Sequence, residues 1–131
     1  MVVGLLTLMM VVSCDSTTSP ETPQVEELAN HINEVLADWG PTYSAEMLYQ
    51  DINNVDAPYI LSVRATGDYN KAHVAGAENI PWREVADQSN LDQADVPTDS
   101  KVVAYCYTGH TGQISATLLK MMGYDVVNLK F

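Results

Sequence analysis

The sequence has little positive charge. Six lysine and arginine residues stand against 17 aspartate and glutamate residues in a chain of 131, which gives a formal net charge of −11. A chain of this charge offers no basic surface for nucleic acid, so we expect no nucleic-acid partner. Its overall field does not attract an anionic substrate either, and local hydrogen-bond donors must hold any anion that binds.

Cysteine is also scarce, with only Cys14 and Cys106 in the chain. If Cys14 is modified, as argued below, Cys106 is the one free thiol and a structural disulfide within the chain is excluded. A buried cysteine can act merely as a small apolar residue. Cys106 ends an apolar run and precedes a glycine-containing turn, and this position favours a functional thiol. We expect neither a metal nor a cofactor.

The apolar run at the start of the chain, residues 1–12 (MVVGLLTLMMVV), is shorter than the roughly 20 residues that cross a bilayer. It fits the apolar core of an export signal. Residues 11–14 (VVSC) resemble the lipobox of bacterial lipoproteins, in which the segment before the cysteine is removed and the cysteine is acylated. The resemblance implies a signal over residues 1–13, a lipidated Cys14 with a flexible tether over residues 14–22, and an exported domain anchored to a membrane of the bacterial cell envelope.

The residues alone leave a second interpretation of this segment open, which is a chance apolar tail. Export signals usually begin with basic residues, and no lysine or arginine precedes the apolar run. We therefore expect the natural start of the protein to lie upstream of Met1.

An amphipathic helix is predicted over residues 23–40. Thr22 is expected to be its N-cap and Pro23 its first helical residue, and residues 40–41 (GP) end the pattern. Apolar residues recur at helical spacing and are expected to lie on the domain. These residues are Val25, Leu28, Ala29, Ile32, Val35, Leu36 and Trp39.

Beyond residue 41, short apolar runs alternate with helical patterns. Strands are predicted over residues 59–63, 77–81, 102–105 and 125–129. Because the runs are separated by more than hairpin lengths, they indicate a parallel α/β domain.

Two helices are predicted among these strands. Ser44 is expected to cap a short helix with Met47, Leu48 and Ile52 inward. The second helix is predicted over residues 113–122, and residues 88–100 are expected to be polar and turn-rich. The inward residues of the second helix are expected to be Ile114, Leu118, Met121 and Met122.

Cys106 stands between the run 102–105 and this second helix. The N–H groups of the intervening turn and of the first helical turn are expected to point towards one small volume. Such donors lower the pKa of a thiol and make it nucleophilic near neutral pH. We therefore predict that Cys106 is the functional centre.

Four segments of the chain occur in the order found in the rhodanese-like domain family, which this chain resembles. They are residues 60–64 (ILSVR), residues 68–81 (DYNKAHVAGAENIP), the loop that begins at Cys106, and residues 118–129 (LLKMMGYDVVNL). The resemblance covers residues 41–131 and implies a central, mostly parallel sheet of about five strands with helices on both faces. Members of the family usually continue with a closing helix, so the domain is expected to extend beyond Phe131.

The resemblance also implies a sulfurtransferase. Cys106 is expected to attack the outer sulfur of a small anion such as thiosulfate, to carry that sulfur as a persulfide, and to pass it to a thiol or cyanide. The substrate-binding residues implied are Tyr107, Thr108, Gly109, His110, Thr111, Gly112 and Arg64. An alternative role for Arg64 is an ion pair with Asp68.

Cysteine-dependent phosphatases have a similar loop, but they place an arginine after five intervening residues to grip phosphate. The corresponding position here is Gly112, which argues against a phosphatase.

The chain departs from the family at two positions of the site. Ser62 stands where many members have aspartate, and His110 where many active members have arginine. Since a neutral imidazole supplies one donor and no charge, thiosulfate binding is expected to strengthen when His110 is protonated. Two other functions remain open, namely a membrane-tethered module that binds sulfur compounds or anions without catalysis, and a redox or sulfide-handling protein supplied by a protein thiol or polysulfide.

Overall fold

A computed structural model describes residues 22–39 and 42–130 of the chain. The predicted signal, Cys14 and the predicted tether up to residue 21 lie outside the described residues. Within the described ranges, none of the helices combines the length and the apolar composition needed to cross a membrane.

Strands and helices alternate along the described part of the chain. The strands are β1 (Tyr43–Ser44), β2 (Tyr59–Ser62), β3 (Glu78–Asn79), β4 (Val102–Tyr105) and β5 (Val126–Lys130). The helices are α1 (Thr22–Ala37), α2 (Ala45–Asp51), α3 (Thr66–Tyr69), α4 (Gln88–Gln93) and α5 (His110–Met121).

The five strands form one parallel sheet in the order β1-β5-β4-β2-β3. Strand β4 lies in the middle, where Val103 is opposite Ile60 of β2 and Val127 of β5. The prediction of a mostly parallel sheet of about five strands is therefore confirmed. All strands end at the same edge, so the segment after β4 leaves from the centre of that edge.

Both faces of the sheet are covered by helices, as predicted. Along β4, Val102 and Ala104 pack on the side of α4 and α5, whereas Val103 packs on the side of α2. Leu119 of α5 and Leu48 of α2 belong to these opposite clusters. Burial on both faces explains why the central strand is a continuous apolar run rather than an alternating one.

The strand boundaries differ in part from the predictions. Strand β2 ends one residue earlier than predicted, at Ser62, and β5 is shifted by one residue to Val126–Lys130. Only Glu78–Asn79 of the predicted strand 77–81 pairs in the sheet. The edge strand β1, which pairs with β5 through only two residues, was not predicted, because two residues carry no measurable alternation.

Helix α5 differs from its prediction in both its start and its buried face. It begins at His110 rather than Gln113, and the predicted inward residues Ile114, Leu118 and Met122 are exposed. The side that packs on the sheet carries small residues together with one leucine, which lets the helix axis approach the strands closely. These residues are Gly112, Ser115, Ala116 and Leu119.

Helix α1 lies on the domain less completely than predicted. Val25, Leu28 and Leu36 each expose more than half of their surface, whereas Trp39, just after the helix, packs against the core. Polar contacts also attach this segment to the domain. Lys120 Nζ of α5 binds the Asp38 carboxylate at 2.8 Å and its carbonyl oxygen at 3.3 Å.

The predictions for helices α2 and α4 are confirmed only in part. The Ser44 hydroxyl accepts a hydrogen bond from the Met47 N–H and caps α2, as predicted. Leu48 is buried but Met47 is exposed, because Met47 lies in the first turn on the solvent side. The segment 88–100 is not only turns, since the Asp87 side chain caps α4 and Leu91 is fully buried.

Candidate active site

Cys106 directly follows β4 and is only 5% exposed, so its side chain belongs to the core on the α5 side of the sheet. The loop from Cys106 turns at Gly109, which is the N-cap of α5 and has a φ of +80°. Glycine adopts this left-handed backbone without the steric cost that other residues incur. The Gly109 carbonyl accepts a hydrogen bond from the Gln113 N–H at 2.8 Å. The glycine therefore joins the loop directly to the helix.

Hydrogen-bond donors converge on the Cys106 sulfur. Burial raises the pKa of the thiol, but the neighbouring Thr111 hydroxyl and the N–H groups of Gly112, Thr108 and Gly109 lower it, and the net effect is a pKa below the ordinary value. These donors stabilise the thiolate, which is the reactive form of cysteine.

The predicted loop residues take different positions. Thr108, Gly109, Thr111 and Gly112 supply the donors to Sγ, as described above. Tyr107 and His110 are not among these donors, and both side chains are exposed. His110 is the first residue of α5 and lies on the solvent side of the loop.

Arg64, just beyond β2, reaches towards the Cys106 loop from the neighbouring strand. Its Cζ lies 4.9 Å from the ring centroid of Tyr107 and 5.5 Å from that of Tyr105, within the range of cation–π contacts. Its Nη2 donates to the Ala72 carbonyl, and its Nε lies 3.4 Å from the hydroxyl of Ser62. These contacts hold the guanidinium beside the loop.

The alternative prediction for Arg64, an ion pair with Asp68, is wrong. Asp68 pairs instead with Lys71, at 2.9 Å. The hydrogen bond to Lys71 is also the main reason that the pKa of Asp68 lies below its usual range. Lys71 is three residues further along the chain, so this pair forms locally and leaves Arg64 directed at the aromatic rings.

A pocket of about 460 Å³ adjoins the Cys106 loop. Tyr107 and Thr111 form its side nearest the thiol, and Arg64, Trp82 and Arg83 line other walls. The Arg83 guanidinium lies 4.3 Å from the Trp82 ring centroid. Both arginines of the chain therefore line this one pocket, and each is stacked on an aromatic ring. Two carboxylates, Asp68 and Glu84, share the same walls.

His73 has a structural position. Its Nδ1 donates to the Tyr69 carbonyl at 3.0 Å, and its ring stacks on that of Tyr69 with centroids 4.0 Å apart. Among residues 22–39 and 42–130, no three or more histidine, cysteine, aspartate and glutamate side chains group so that they could hold a metal ion.

This geometry agrees with a match between the chain and a family of known proteins. A family model described as the rhodanese-like domain matches residues 44–130, about two thirds of the chain. The chain belongs to the rhodanese-like domain family.

Two curated relatives contain a similar domain. The chain is 32% identical over 69 residues to an adenylyltransferase and sulfurtransferase, uba4, of Ogataea parapolymorpha; the match covers 53% of this chain and 17% of that protein. It is 28% identical over 87 residues to a putative sulfur carrier protein, YrkF, of Bacillus subtilis, covering 66% of this chain and 45% of that protein. The chain thus spans less than half the length of either relative.

Solved structures of rhodanese-like domains share the fold. The human single-domain sulfurtransferase TSTD1 is similar with a TM-score of 0.61 and 20% identity, covering 69% of this chain and 88% of that one. A rhodanese-related protein from Thermoplasma volcanium gives a TM-score of 0.60 and 22% identity, covering 70% and 84% of the two chains. At these identities the likeness shows the fold alone.

One residue of this rhodanese-like site was missed by sequence reasoning. Asn128 of β5 is 8% exposed, and its Nδ2 donates to the Gly109 carbonyl at 3.2 Å. A Cβ at Gly112 would lie only 2.3 Å from Asn128 Oδ1. The signal that could have revealed it is the single polar residue in the strand sequence VVNL, where the neighbouring residues are apolar.

The same contact explains why position 112 is a glycine, since any larger side chain would collide with the Asn128 amide. An arginine of the phosphatase type would need the space that the Asn128 amide occupies. Packing as well as spacing therefore speaks against a phosphatase-type arginine at this position.

Proposed function

We propose that this rhodanese-like domain is a sulfurtransferase that carries a sulfane sulfur as a persulfide on Cys106. The observation that carries the proposal is the position of Cys106, buried directly after the central strand beside one hydroxyl and three backbone N–H groups that lower the pKa of its thiol. Fixed donors of this kind stabilise negative charge on sulfur, and they need not reorient when that charge forms or is neutralised during the reaction. The printed names of both curated relatives, a sulfurtransferase and a putative sulfur carrier, support the same chemistry.

The reaction divides into two displacements at sulfur. In the first, the Cys106 thiolate attacks the outer sulfur of thiosulfate; a sulfur–sulfur bond forms to Sγ, the bond to the sulfonate sulfur breaks, and sulfite leaves with the electron pair. In the second, an acceptor thiolate or cyanide attacks the terminal sulfur of the persulfide. The products are then a persulfide or thiocyanate, and Cys106 returns as the thiolate.

The pocket beside the loop is the proposed entry for donor and acceptor. Thr111 lines the pocket and also lowers the pKa of the Cys106 thiol, so the pocket lies next to the residues that surround the thiol. The guanidinium groups of Arg64 and Arg83 supply local positive charge for a sulfur anion in a chain that is otherwise strongly acidic.

Mass spectrometry of the intact protein tests the proposal. After incubation with thiosulfate, we expect an adduct of about 32 Da, one sulfur atom, that is lost in Cys106→Ser and on treatment with cyanide. Cys14→Ser is the matched control, because it removes the other cysteine and leaves the loop unchanged; it should retain the adduct.

The other outcomes of this experiment decide between the alternatives. The absence of an adduct with thiosulfate, polysulfide or a persulfidated thiol would overturn sulfur transfer and favour a module that only binds anions. An adduct from polysulfide alone would favour a sulfide-handling role and would exclude thiosulfate as the donor.

We also propose that Cys14 carries a lipid that anchors the domain to a membrane of the bacterial cell envelope. The proposal rests on the lipobox-like residues 11–14 and on the polar segment that follows. Radiolabelled palmitate should be incorporated in a bacterial host and should be lost in Cys14→Ser but kept in Cys106→Ser. Equal labelling of all three proteins would contradict the anchor.

A further inference from the structure

Asn128 is a buried amide whose hydrogen bonding is incomplete. It is 8% exposed, and its Nδ2 donates to the Gly109 carbonyl at 3.2 Å. Its Oδ1 is buried and has no hydrogen-bond partner among the described residues. Burying a polar atom without a partner costs free energy, so an apolar side chain of similar size would serve better if this position were needed only for packing.

The contacts of Asn128 are made with the Cys106 loop at two points. One is the Gly109 carbonyl, at the residue where the loop turns with a φ of +80°. The other is the backbone at Gly112, where the Asn128 oxygen occupies the space that a Cβ would take. The N–H groups of these two glycines are themselves donors to the Cys106 sulfur. The amide therefore contacts two of the three residues whose N–H groups lower the pKa of the thiol.

We propose that Asn128 is a positioning residue, which fixes the Cys106 loop from β5 through Gly109 and Gly112 so that their N–H groups stay aimed at the sulfur. The inference deepens the proposed function, because a loop held in this shape is what makes the thiol a nucleophile. Asn128 acts through the backbone and not on the substrate, since its amide group meets the loop on the side of Gly109 and Gly112 away from solvent.

The position in the sheet explains why this residue is suited to the task. Strand β5 is hydrogen-bonded to β4, which carries Cys106, and Asn128 is opposite Ala104, two residues before the thiol. Both strands are buried and their relative register is set by several backbone hydrogen bonds. A side chain on β5 is thus a rigid support for a loop that leaves β4.

The test measures the acidity of Cys106 in the full chain without any sulfur donor. Iodoacetamide alkylation is followed against pH by mass spectrometry of the peptide that contains Cys106, so that Cys14 does not contribute. In Asn128→Leu and Asn128→Ala we expect the thiol pKa to rise by about one unit, which reduces alkylation about tenfold at a pH well below both values. Leucine preserves volume, and alanine serves if leucine does not fit.

Val126→Ala is the matched control. Val126 is a buried residue of the same strand. Its side chain is apolar and cannot replace the hydrogen bond that Asn128 donates to the Gly109 carbonyl. We expect this variant to unfold at a lower temperature and to keep the wild-type thiol pKa. If Asn128 had only a structural role, the thiol pKa would instead rise in proportion to the loss of stability in all three variants.

Two results would overturn the inference. One is an unchanged thiol pKa in folded Asn128→Leu and Asn128→Ala, and the other is an equal rise in Val126→Ala. Because alkylation requires no sulfur transfer, its outcome is independent of the persulfide test. A raised pKa in a protein that forms no persulfide would leave the positioning role intact and remove only the proposed function.

Discussion

At the scale of single residues, the Cys106 thiol shows burial and hydrogen bonding acting in opposite directions. Burial in the core raises its pKa, and donors from Thr111 and from three backbone N–H groups lower it by more. The backbone groups have this effect only while the loop keeps its shape. Residues that never touch the sulfur, Asn128 among them, therefore control its reactivity.

Gly112→Ala probes this control directly. The added Cβ would lie 2.3 Å from Asn128 Oδ1, so the amide must move and its hydrogen bond to Gly109 is lost. We expect a loss of about 1–3 kcal/mol in the free energy of unfolding and slower alkylation of Cys106 near neutral pH. Urea unfolding and alkylation rates measure both quantities.

The double variant Gly112→Ala/Asn128→Ala provides the comparison. Removing the amide makes room for the new methyl group, so the double variant should be more stable than the sum of the two single changes predicts, by about 0.5–3 kcal/mol. Strict additivity would contradict a direct contact between these two residues.

At the scale of elements, the sequence predicts features that show as a local pattern of residues. It misses features that depend on how two elements pack against each other. The central strand was recognised because burial on both faces leaves four consecutive apolar residues at Val102–Tyr105. The buried face of α5 was misjudged, because close packing favours Gly112, Ser115 and Ala116 over the larger apolar residues. No local pattern indicates how near a helix lies to a sheet.

The contact between α4 and the start of β2 is a second feature that depends on the packing of two elements. It predicts that the protein loses stability at alkaline pH. The Tyr59 hydroxyl donates to the Ala94 carbonyl at the end of α4. Burial, followed by the nearby charges of Glu78 and Asp95, raises the pKa of Tyr59 from 10.0 to about 12. The folded state thus favours the neutral phenol, and this contribution is complete below pH 10 and is lost as the pH rises towards about 12.

Tyr59→Phe tests this linkage. At neutral pH the variant should lose about 1 kcal/mol of unfolding free energy, since the hydroxyl no longer satisfies the carbonyl. Between pH 10 and about 12, its unfolding free energy should fall less steeply than that of the wild type, as measured by urea unfolding. Tyr43, whose pKa is also raised to about 12 by burial and by Asp51, remains in both proteins, so some alkaline loss persists. Parallel curves would refute the assignment.

At the scale of the whole molecule, the net charge of −11 opposes the approach of the anions that the site is proposed to use. The positive charge that Arg64 and Arg83 supply within the pocket is offset at longer range by Asp68 and Glu84 in the same walls. The rate at which an anion reaches the pocket therefore depends on whether repulsion by the acidic surface extends further into solution than attraction by the two guanidinium groups. At about 10 mM salt the Debye length is about 30 Å, comparable with the diameter of a domain of about 100 residues, whereas at about 150 mM it is about 8 Å.

Salt should therefore speed the reaction of Cys106 with anions. We expect the ratio of alkylation rates by iodoacetate, an anion, and by iodoacetamide, its neutral counterpart, to rise severalfold between about 10 mM and about 150 mM salt, because long-range repulsion is screened. The neutral reagent reports any change in the thiolate itself, so the ratio isolates the charge effect. Arg83→Gln should lower the ratio at every salt concentration and steepen its rise. A ratio that falls with salt in the wild type would mean that the guanidinium groups dominate the field at the pocket, and that the acidic surface has no part in selecting the substrate.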